Sequence, residues 1–568
     1  MATTDWSLNW FDRRSSFIEE CNAARNALID DLADGAATQQ RVLDDIYRVC
    51  GPSQSWQQSG YSDAIRRGAT FREIVPIRTY ADFEPLIDSE VHTKGGVLST
   101  SPVRRWLKTS GTTGKPKRIP YTDHWMTAYR VPAMKAMWGT FLLNCPELLA
   151  HPYATFDTQT VREVPGDHIF GVPYQGISNR NPPLGASDWT PPWYEAPWYI
   201  PSLPSDHLTK MYYRLRWLVT KDVRFLTAIN PSTILSILDS LRLFASVLVK
   251  EIADGSVAGI NMVAPDPEAA RRLEKILGRS TYSLNDVWPN LMHYSTWASA
   301  AARLYDAQML HALPCAKRLP FMSCGTEGVV TIPLDGSQLG QPLAVDQAWF
   351  EFIPAEDEPN EYLSGKRRAD TLLYDELDVG KEYHVIMSQL NGLTRLYTGD
   401  IFSVEKIEAG VPYIYFTRRH GVYHSFTGEK LTEVEVVSAI ERGLAQFGAP
   451  LGLFLCGARW GSPPGYSIAI ELHLPRKLDV TEIATAIDLH LQHISIEYAS
   501  KRESGRLDGI QVALIQHQAI AKYVESKRNP GNTTQYKYKP FHKDTSFLDE
   551  LVRDNNIIQG EMHGVSVT

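Results

Sequence analysis

The stretch Thr109 to Lys117 reads T-S-G-T-T-G-K-P-K, alternating hydroxyls with glycines and including two lysines. A flexible turn of backbone N–H groups and side-chain O–H donors can wrap a polyphosphate, and the lysines add positive charge. The frame is not that of a Walker A loop, which needs glycine, four residues, then Gly-Lys-Ser/Thr. None of Gly114-Lys115, Gly365-Lys366 or Gly380-Lys381 has it. A Gly/Thr-rich surface turn before a strand is the other reading of these residues.

Three later stretches carry polar groups at places where chemistry is often put. Arg318 to Gly328 (R-L-P-F-M-S-C-G-T-E-G) is an apolar segment running into Gly325-Thr326-Glu327-Gly328. A buried strand ending in such a turn is where α/β proteins place ligand-binding groups, with a plain β-turn as the alternative. Gly392 to Asp400 (G-L-T-R-L-Y-T-G-D) reads as a strand terminating at Gly399-Asp400. A carboxylate there can accept hydrogen bonds from both hydroxyls of a ribose; a turn aspartate is the alternative. The tail Asn532 to Pro540 is basic and aromatic in an otherwise acidic chain, so Lys537 or Lys539 is either a mobile catalytic cation or a solvated lysine.

Other chemistries lack their residues. There is no H-E-x-x-H, no G-x-S-x-G, and no pair of glycines two apart of the kind a dinucleotide fingerprint needs. This argues against zinc proteases, serine esterases and Rossmann dehydrogenases. His420 and His424 sit in a Gly-rich, hairpin-like context and are not read as metal ligands. The six cysteines have no C-x-x-C spacing, which suits reduced, buried thiols in a reducing compartment.

The elements that must position these groups fit a chain of 568 residues, 43% hydrophobic and 21% charged, long enough for at least two domains. Helical spacing marks Phe17 to Cys50, broken near Gly35, a short helix at Ala81 to Ile87, and a helix starting at Asn230-Pro231-Ser232. Trp288 to Tyr294 resembles a strand entry, followed by a helix over 300–310. Residues Tyr153 to Pro204 crowd prolines with Trp189, Trp193 and Trp198, which forbids a regular helix. Such a loop presents aromatic faces either to a substrate or to the core. Phe350 to Pro354 and Glu382 to Ser388 alternate like strands, and Ile401 to Phe416 forms a hairpin around Ala409-Gly410. Beyond Arg419 the texture changes to a compact α+β module, with helices over 434–447, 480–494 and 519–526 and strands over 451–456, 466–474 and 510–515.

The net charge of −8 argues against nonspecific nucleic-acid or anionic-membrane binding, and no run of about 18 apolar residues occurs. The expectation is a soluble cytoplasmic protein that acts on small molecules.

In order and spacing these pieces resemble the adenylate-forming superfamily, and within it the plant auxin- and jasmonate-conjugating acyl acid amido synthetases of the Gretchen Hagen family. T-S-G-T-T-G-K-P-K is similar to the phosphate loop, Cys324 to Gly328 to the adenine and magnesium motif, and Leu396 to Asp400 to the ribose motif. Phe416-Thr-Arg-Arg followed by S-F-T-G-E-K-L-T-E-V-E resembles the hinge and the start of the mobile C-terminal domain. V-P-I-R-T-Y-A-D-F, V-W-P-N, F-E-F-I-P, D-V-G-K-E-Y, N-G-L-T-R-L-Y-T-G-D and Q-Y-K are similar to framework segments of the amido synthetases. The phosphate loop is shorter than the plant pattern, and Tyr397 stands where the plant motif has arginine.

The resemblance implies an α/β adenylate-forming fold, with a large N-terminal domain of mixed β-sheets and helices over 1–418 and a small mobile α+β domain over 419–568. It implies a two-step, ATP- and Mg²⁺-dependent ligase: a carboxylic acid becomes an acyl-adenylate with loss of pyrophosphate, and an amine then takes the acyl group with loss of AMP. By the same resemblance Ser110, Gly111, Thr112, Thr113, Gly114 and Lys117 hold phosphates, and Gly325 and Thr326 lie at the α-phosphate region. Glu327 takes Mg²⁺, Asp400 with Arg419 holds the ribose, and Lys537 stabilises charge during adenylation before the small domain swings. The two rivals are the same adenylation followed by thioester formation on coenzyme A or a carrier thiol, and a catalytically silent nucleotide- or acid-binding protein.

Overall fold

The structure is a computed structural model describing residues 10–93, 95–108, 117–150, 154–157, 168–169, 172–175, 207–228, 231–299, 302, 305–337, 339–420, 431–461, 463–471, 479–503, 505, 507–527, 538–554, 557–562 and 565–567. It divides into two compact units, the first reaching Phe416 and the second formed chiefly by Thr417–Asn529 and the residues after Tyr536.

The first unit opens with helices Trp10–Ala33 and Gly35–Cys50, broken at Asp34, whose side chain accepts from the Ala37 N–H at 3.2 Å. Val42, Leu43, Ile46 and Val49 give the second helix its buried face. The first helix packs against Val131–Asn144 at Gly139, where an added Cβ would lie 2.5 Å from the Cys21 carbonyl oxygen. Only glycine allows that approach.

Three larger sheets follow in this unit, besides the two-stranded pair Ser256–Val257 and Ile260–Asn261. Val103–Lys108 pairs antiparallel with Arg118–Thr122 and parallel with Val172–Gln175. A parallel sheet runs Lys317–Leu319, His293–Ser295, Val223–Thr227, Ala154–Asp157, with helices such as Pro231–Leu243 in the connections. The third sheet has five strands, in the order Gln341–Pro342, Val411–Arg419, Leu396–Glu408, Glu382–Ser388, Trp349–Pro354. Its central hairpin turns at Ala409 (φ 49°) and Gly410 (φ 80°), two left-handed residues that match the twist of the strands they join.

The second unit holds a six-stranded mixed sheet in which Gly465–Glu471 pairs antiparallel with Phe454–Arg459 and parallel with Gln511–Ile515. Helices Glu433–Ala445 and Val480–Ile494 pack closely at Gly443, where a Cβ would meet the Ile487 side chain at 2.7 Å. Leu455, Ala513, Ile515, Ile520 and Phe547 form one core cluster of this unit.

Several sequence expectations are corrected. The apolar segment from Arg318 is not one strand into the glycine turn: the strand stops at Leu319, before Pro320, and Cys324 instead bridges Val329 across the turn. Trp288 follows a short helix, Leu284–Val287, and the strand begins only at His293. The helix expected over 300–310 is Asp306–Ala312 in its described part. The strand carrying Asp400 does not end there but continues as Leu396–Glu408. All six cysteines are free, but Cys315 is exposed and Cys324 only half-buried. Most of 153–204 lies outside the described residues, as do 421–430. Among the described residues no helix is long and apolar enough to cross a membrane.

Candidate functional site

Residues 109–116, with Ser110, Gly111, Thr112, Thr113 and Gly114, lie outside the described residues, but both flanks are built into one antiparallel pair, Lys108 opposite Arg118. The helix Tyr80–Thr93 fixes the second flank. The Tyr80 hydroxyl donates to the Arg118 carbonyl (3.1 Å) and accepts from the Arg118 N–H (2.7 Å), and the Arg118 guanidinium pairs with Asp88. Lys117 Nζ lies 5.1 Å from the centre of the Tyr80 ring, a cation–π contact that orients the ammonium at the loop's end.

Gly325, Thr326 and Glu327 fall in one tight turn, closed by the Gly325 N–H donating to the Gly328 carbonyl at 2.9 Å. Three successive carbonyls of this turn are each held by a different element. Arg130 Nη2 donates to Gly325 O (3.3 Å), the Tyr121 hydroxyl to Thr326 O (3.0 Å) and Gln389 Nε2 to Glu327 O (2.6 Å). The peptide planes of the turn are thereby fixed, which is the preorganisation a charge-stabilising site requires. Thr326 is buried, and Glu327 is half-buried with no hydrogen bond or ion pair on its carboxylate among the described residues.

Tyr121 is on the strand that follows Lys117, so one strand links the end of the loop to the turn. Its ring packs edge-on to Trp125 at 4.8 Å, and burial pushes its hydroxyl up to about 12, keeping it a neutral donor. Arg130 closes a π-helical segment, Met126–Arg130, a distortion that recurs at functional sites. Its side chain is buried, and its Nη1 has no hydrogen-bond partner among the described residues. The guanidinium also lowers the neighbouring Cys324 thiol, against the larger upward push of burial.

Asp400 sits on a bulge. Ile386 pairs with Tyr397 and His384 with Ile401, so Thr398, Gly399 and Asp400 together face the single residue Val385. Gly399 (φ 77°) supplies the left-handed step, and Thr398 Oγ1 locks the bulge by donating to Val385 O (2.9 Å) and accepting from the Asp400 N–H (3.0 Å). A bulge re-aims a side chain out of the ladder. Just ahead, the Tyr397 hydroxyl meets His384 Nδ1 at 3.1 Å. The strand facing the bulge, Glu382–Ser388, leads directly into Gln389, so the Asp400 bulge and the Glu327 turn share one support.

Arg419 ends the strand Val411–Arg419 in the second unit, half-buried; Lys537 lies outside the described residues. The sequence reading missed Tyr121, Arg130 and Gln389. Arg130 left one signal, a cation inside an otherwise apolar helical run, M-T-A-Y-R-V-P-A-M.

The GH3 family N-terminal domain matches residues 24–317, its central domain residues 342–419 and its C-terminal domain residues 434–546. Indole-3-acetic acid-amido synthetase GH3.8 of Oryza sativa subsp. indica is 24% identical over 473 residues, covering 75% of this chain and 74% of that one. Indole-3-acetic acid-amido synthetase GH3.6 of Arabidopsis thaliana is 23% identical over 498 residues, covering 79% of each. The solved structure of AtGH3.15 acyl acid amido synthetase in complex with 2,4-DB superposes with a TM-score of 0.80 at 16% identity, over 96% of this chain and 98% of that one. The two-unit α/β fold with these three consecutive domain matches has one reading: the chain belongs to the GH3 family, within the adenylate-forming superfamily.

Proposed function

We propose that this protein activates a carboxylic acid as its acyl-adenylate, releasing pyrophosphate, and transfers the acyl group to an amine, releasing AMP. The observation that carries the reading is the Gly325–Gly328 turn. Its carbonyls are tied down by Arg130, Tyr121 and Gln389, while the Glu327 carboxylate and one Arg130 nitrogen have no partner among the described residues. A carboxylate on a rigid turn and a cation fixed beside it suit a reaction that joins two anions.

In that reaction positioning and charge neutralisation supply the catalysis. Lys117 neutralises phosphate charge at the loop's end, and Arg130 holds a fixed positive charge beside the turn. Asp400, aimed by its bulge, receives the ribose hydroxyls, and Arg419 and Lys537 are assigned on their sequence motifs alone, Lys537 as the cation of the adenylation step. Glu327, a hard oxygen ligand without a competing partner, fits Mg²⁺, which supplies charge neutralisation at phosphate oxygens when bound. Relatives named as amido synthetases support an amine as acceptor. The aromatic residues within 153–204 and the indole-3-acetic acid of those relatives' names favour an aromatic or otherwise apolar acid. Six free thiols fit a reducing, cytoplasmic setting.

The test is product identification by mass after incubating the protein with ATP, Mg²⁺, a panel of acids and either amino acids or coenzyme A. An amide with AMP supports the proposal. A thioester without amide overturns the second half-reaction, and neither product across the panel, with folded protein, points to a silent binder.

A further inference from the structure

The end of the Val131–Asn144 helix opposite Arg130 carries a donor set that adenylation does not use. Cys145 caps the helix, its N–H donating to Phe141 O at 2.8 Å. Glu147 follows in the short turn Pro146–Leu149, and His293 opens a strand of the parallel sheet. The Cys145 sulfur, a Glu147 oxygen and a His293 ring nitrogen all lie within 4.8 Å of one another, with His293 Nε2 3.3 Å from Glu147 Oε1. Among the described residues it is the one such grouping of three donors. Cys145 and His293 are buried, whereas the Glu147 side chain is 48% exposed, so the cluster has a mouth to solvent on one side. His293 Nδ1 is also buried without a hydrogen-bond partner among the described residues, an unusual state for an imidazole with only a structural role.

We propose that Cys145, Glu147 and His293 form a binding site for a divalent transition-metal ion of the zinc class. Thiolate, imidazole and carboxylate make the mixed N/S/O set zinc takes, at about 2.0–2.3 Å each, which places tetrahedral ligand atoms roughly 3.3–3.8 Å apart. The cluster therefore needs a contraction of about 1 Å, within the reach of side-chain rotation, with water completing the shell through the open side. Lys317, exposed and paired in register with His293, adds a positive charge that limits affinity. Occupation ties the end of the helix to the parallel sheet.

Titrating the full-length protein with Co²⁺ and following its absorption tests this. One equivalent should give a thiolate-to-cobalt charge-transfer band that Zn²⁺ displaces, that Cys145→Ser abolishes, and that Cys315→Ser, at the exposed thiol, retains. Glu147→Gln, a surface change that leaves the core intact, should weaken binding by about tenfold or more. No such band at saturating Co²⁺, a band that survives Cys145→Ser, or unchanged affinity in Glu147→Gln overturns the assignment.

Discussion

Arg395 and Glu351 form a bidentate ion pair in which both side chains are fully buried, Nε to Oε2 at 2.9 Å and Nη2 to Oε1 at 2.7 Å. The guanidinium also donates to the carbonyls of Arg72 (2.8 Å), Val75 (2.7 Å) and Arg368 (2.6 Å). Arg395 adopts φ 53°, a left-handed conformation rare for a bulky residue, and its backbone is held on both sides, by Ser388 Oγ and by the Arg78 N–H. Three separate segments, V-P-I-R, F-E-F-I-P and T-R-L-Y-T-G-D, thus converge on one ion pair directly ahead of the Asp400 bulge.

Breaking that pair should destabilise the first unit strongly. Arg395→Met leaves a buried carboxylate unpaired, at a cost of about 3–5 kcal/mol. The double variant Glu351→Leu/Arg395→Met should not fully recover, because the buried Val75 carbonyl still loses its donor, at about 1–3 kcal/mol, and the part-buried carbonyls of Arg72 and Arg368 lose theirs. Denaturant unfolding of the two variants checks this; a double variant as stable as the parent would show that the pair, and not the carbonyl network, is what Arg395 provides.

This network also marks the limit of what the sequence disclosed. The order of the glycine turns and the hairpin at Ala409-Gly410 were legible because turn chemistry is local. Glu351 was not, since the alternation of Phe350, Glu351 and Phe352 marks only one apolar face, whereas Phe350, Glu351, Phe352 and Ile353 are all buried in a strand covered on both faces. Asp400 was placed at a strand end because Gly-Asp reads as a stop. The bulge depends on pairing with residues 384–386, which no local pattern encodes. Arg130 and Gln389 act on the Gly325 turn across 195 and 62 residues of chain, and only the fold reveals such distant partners.

Arg130 is expected to serve the first half-reaction. Arg130→Leu should lower acid-dependent kcat/KM by about 10²–10³, the loss seen when one charge-stabilising donor is removed. Arg130→Lys should recover part of it, since the charge remains without the planar fork. Steady-state kinetics with a saturating amine reads this out; parent-like kinetics in the leucine variant would confine Arg130 to packing.

The second unit should be sensitive to pH. Burial raises the Glu433 carboxyl to about 7, against the opposing charge of Arg418. The folded state therefore holds this proton more tightly than the unfolded chain, whose group titrates near 4.5. The stability it contributes is complete below that value and is lost as pH rises through about 7. Glu433→Gln, which mimics the protonated form, should raise the thermal midpoint at pH ~8 and leave it nearly unchanged at pH ~5. An equal shift at both pH values would mean that the carboxyl does not titrate in this range.

On the proposed function, the Gly325–Gly328 turn and the loop ending at Lys117 serve the adenylation of a carboxylic acid. Acid-dependent exchange of labelled pyrophosphate into ATP measures it most directly. The parent protein should support exchange with at least one aromatic or apolar acid, and Lys117→Ala and Glu327→Gln should each suppress it by about 100-fold while remaining folded. Exchange that persists in both variants, or that no acid elicits from the folded parent, would contradict the account.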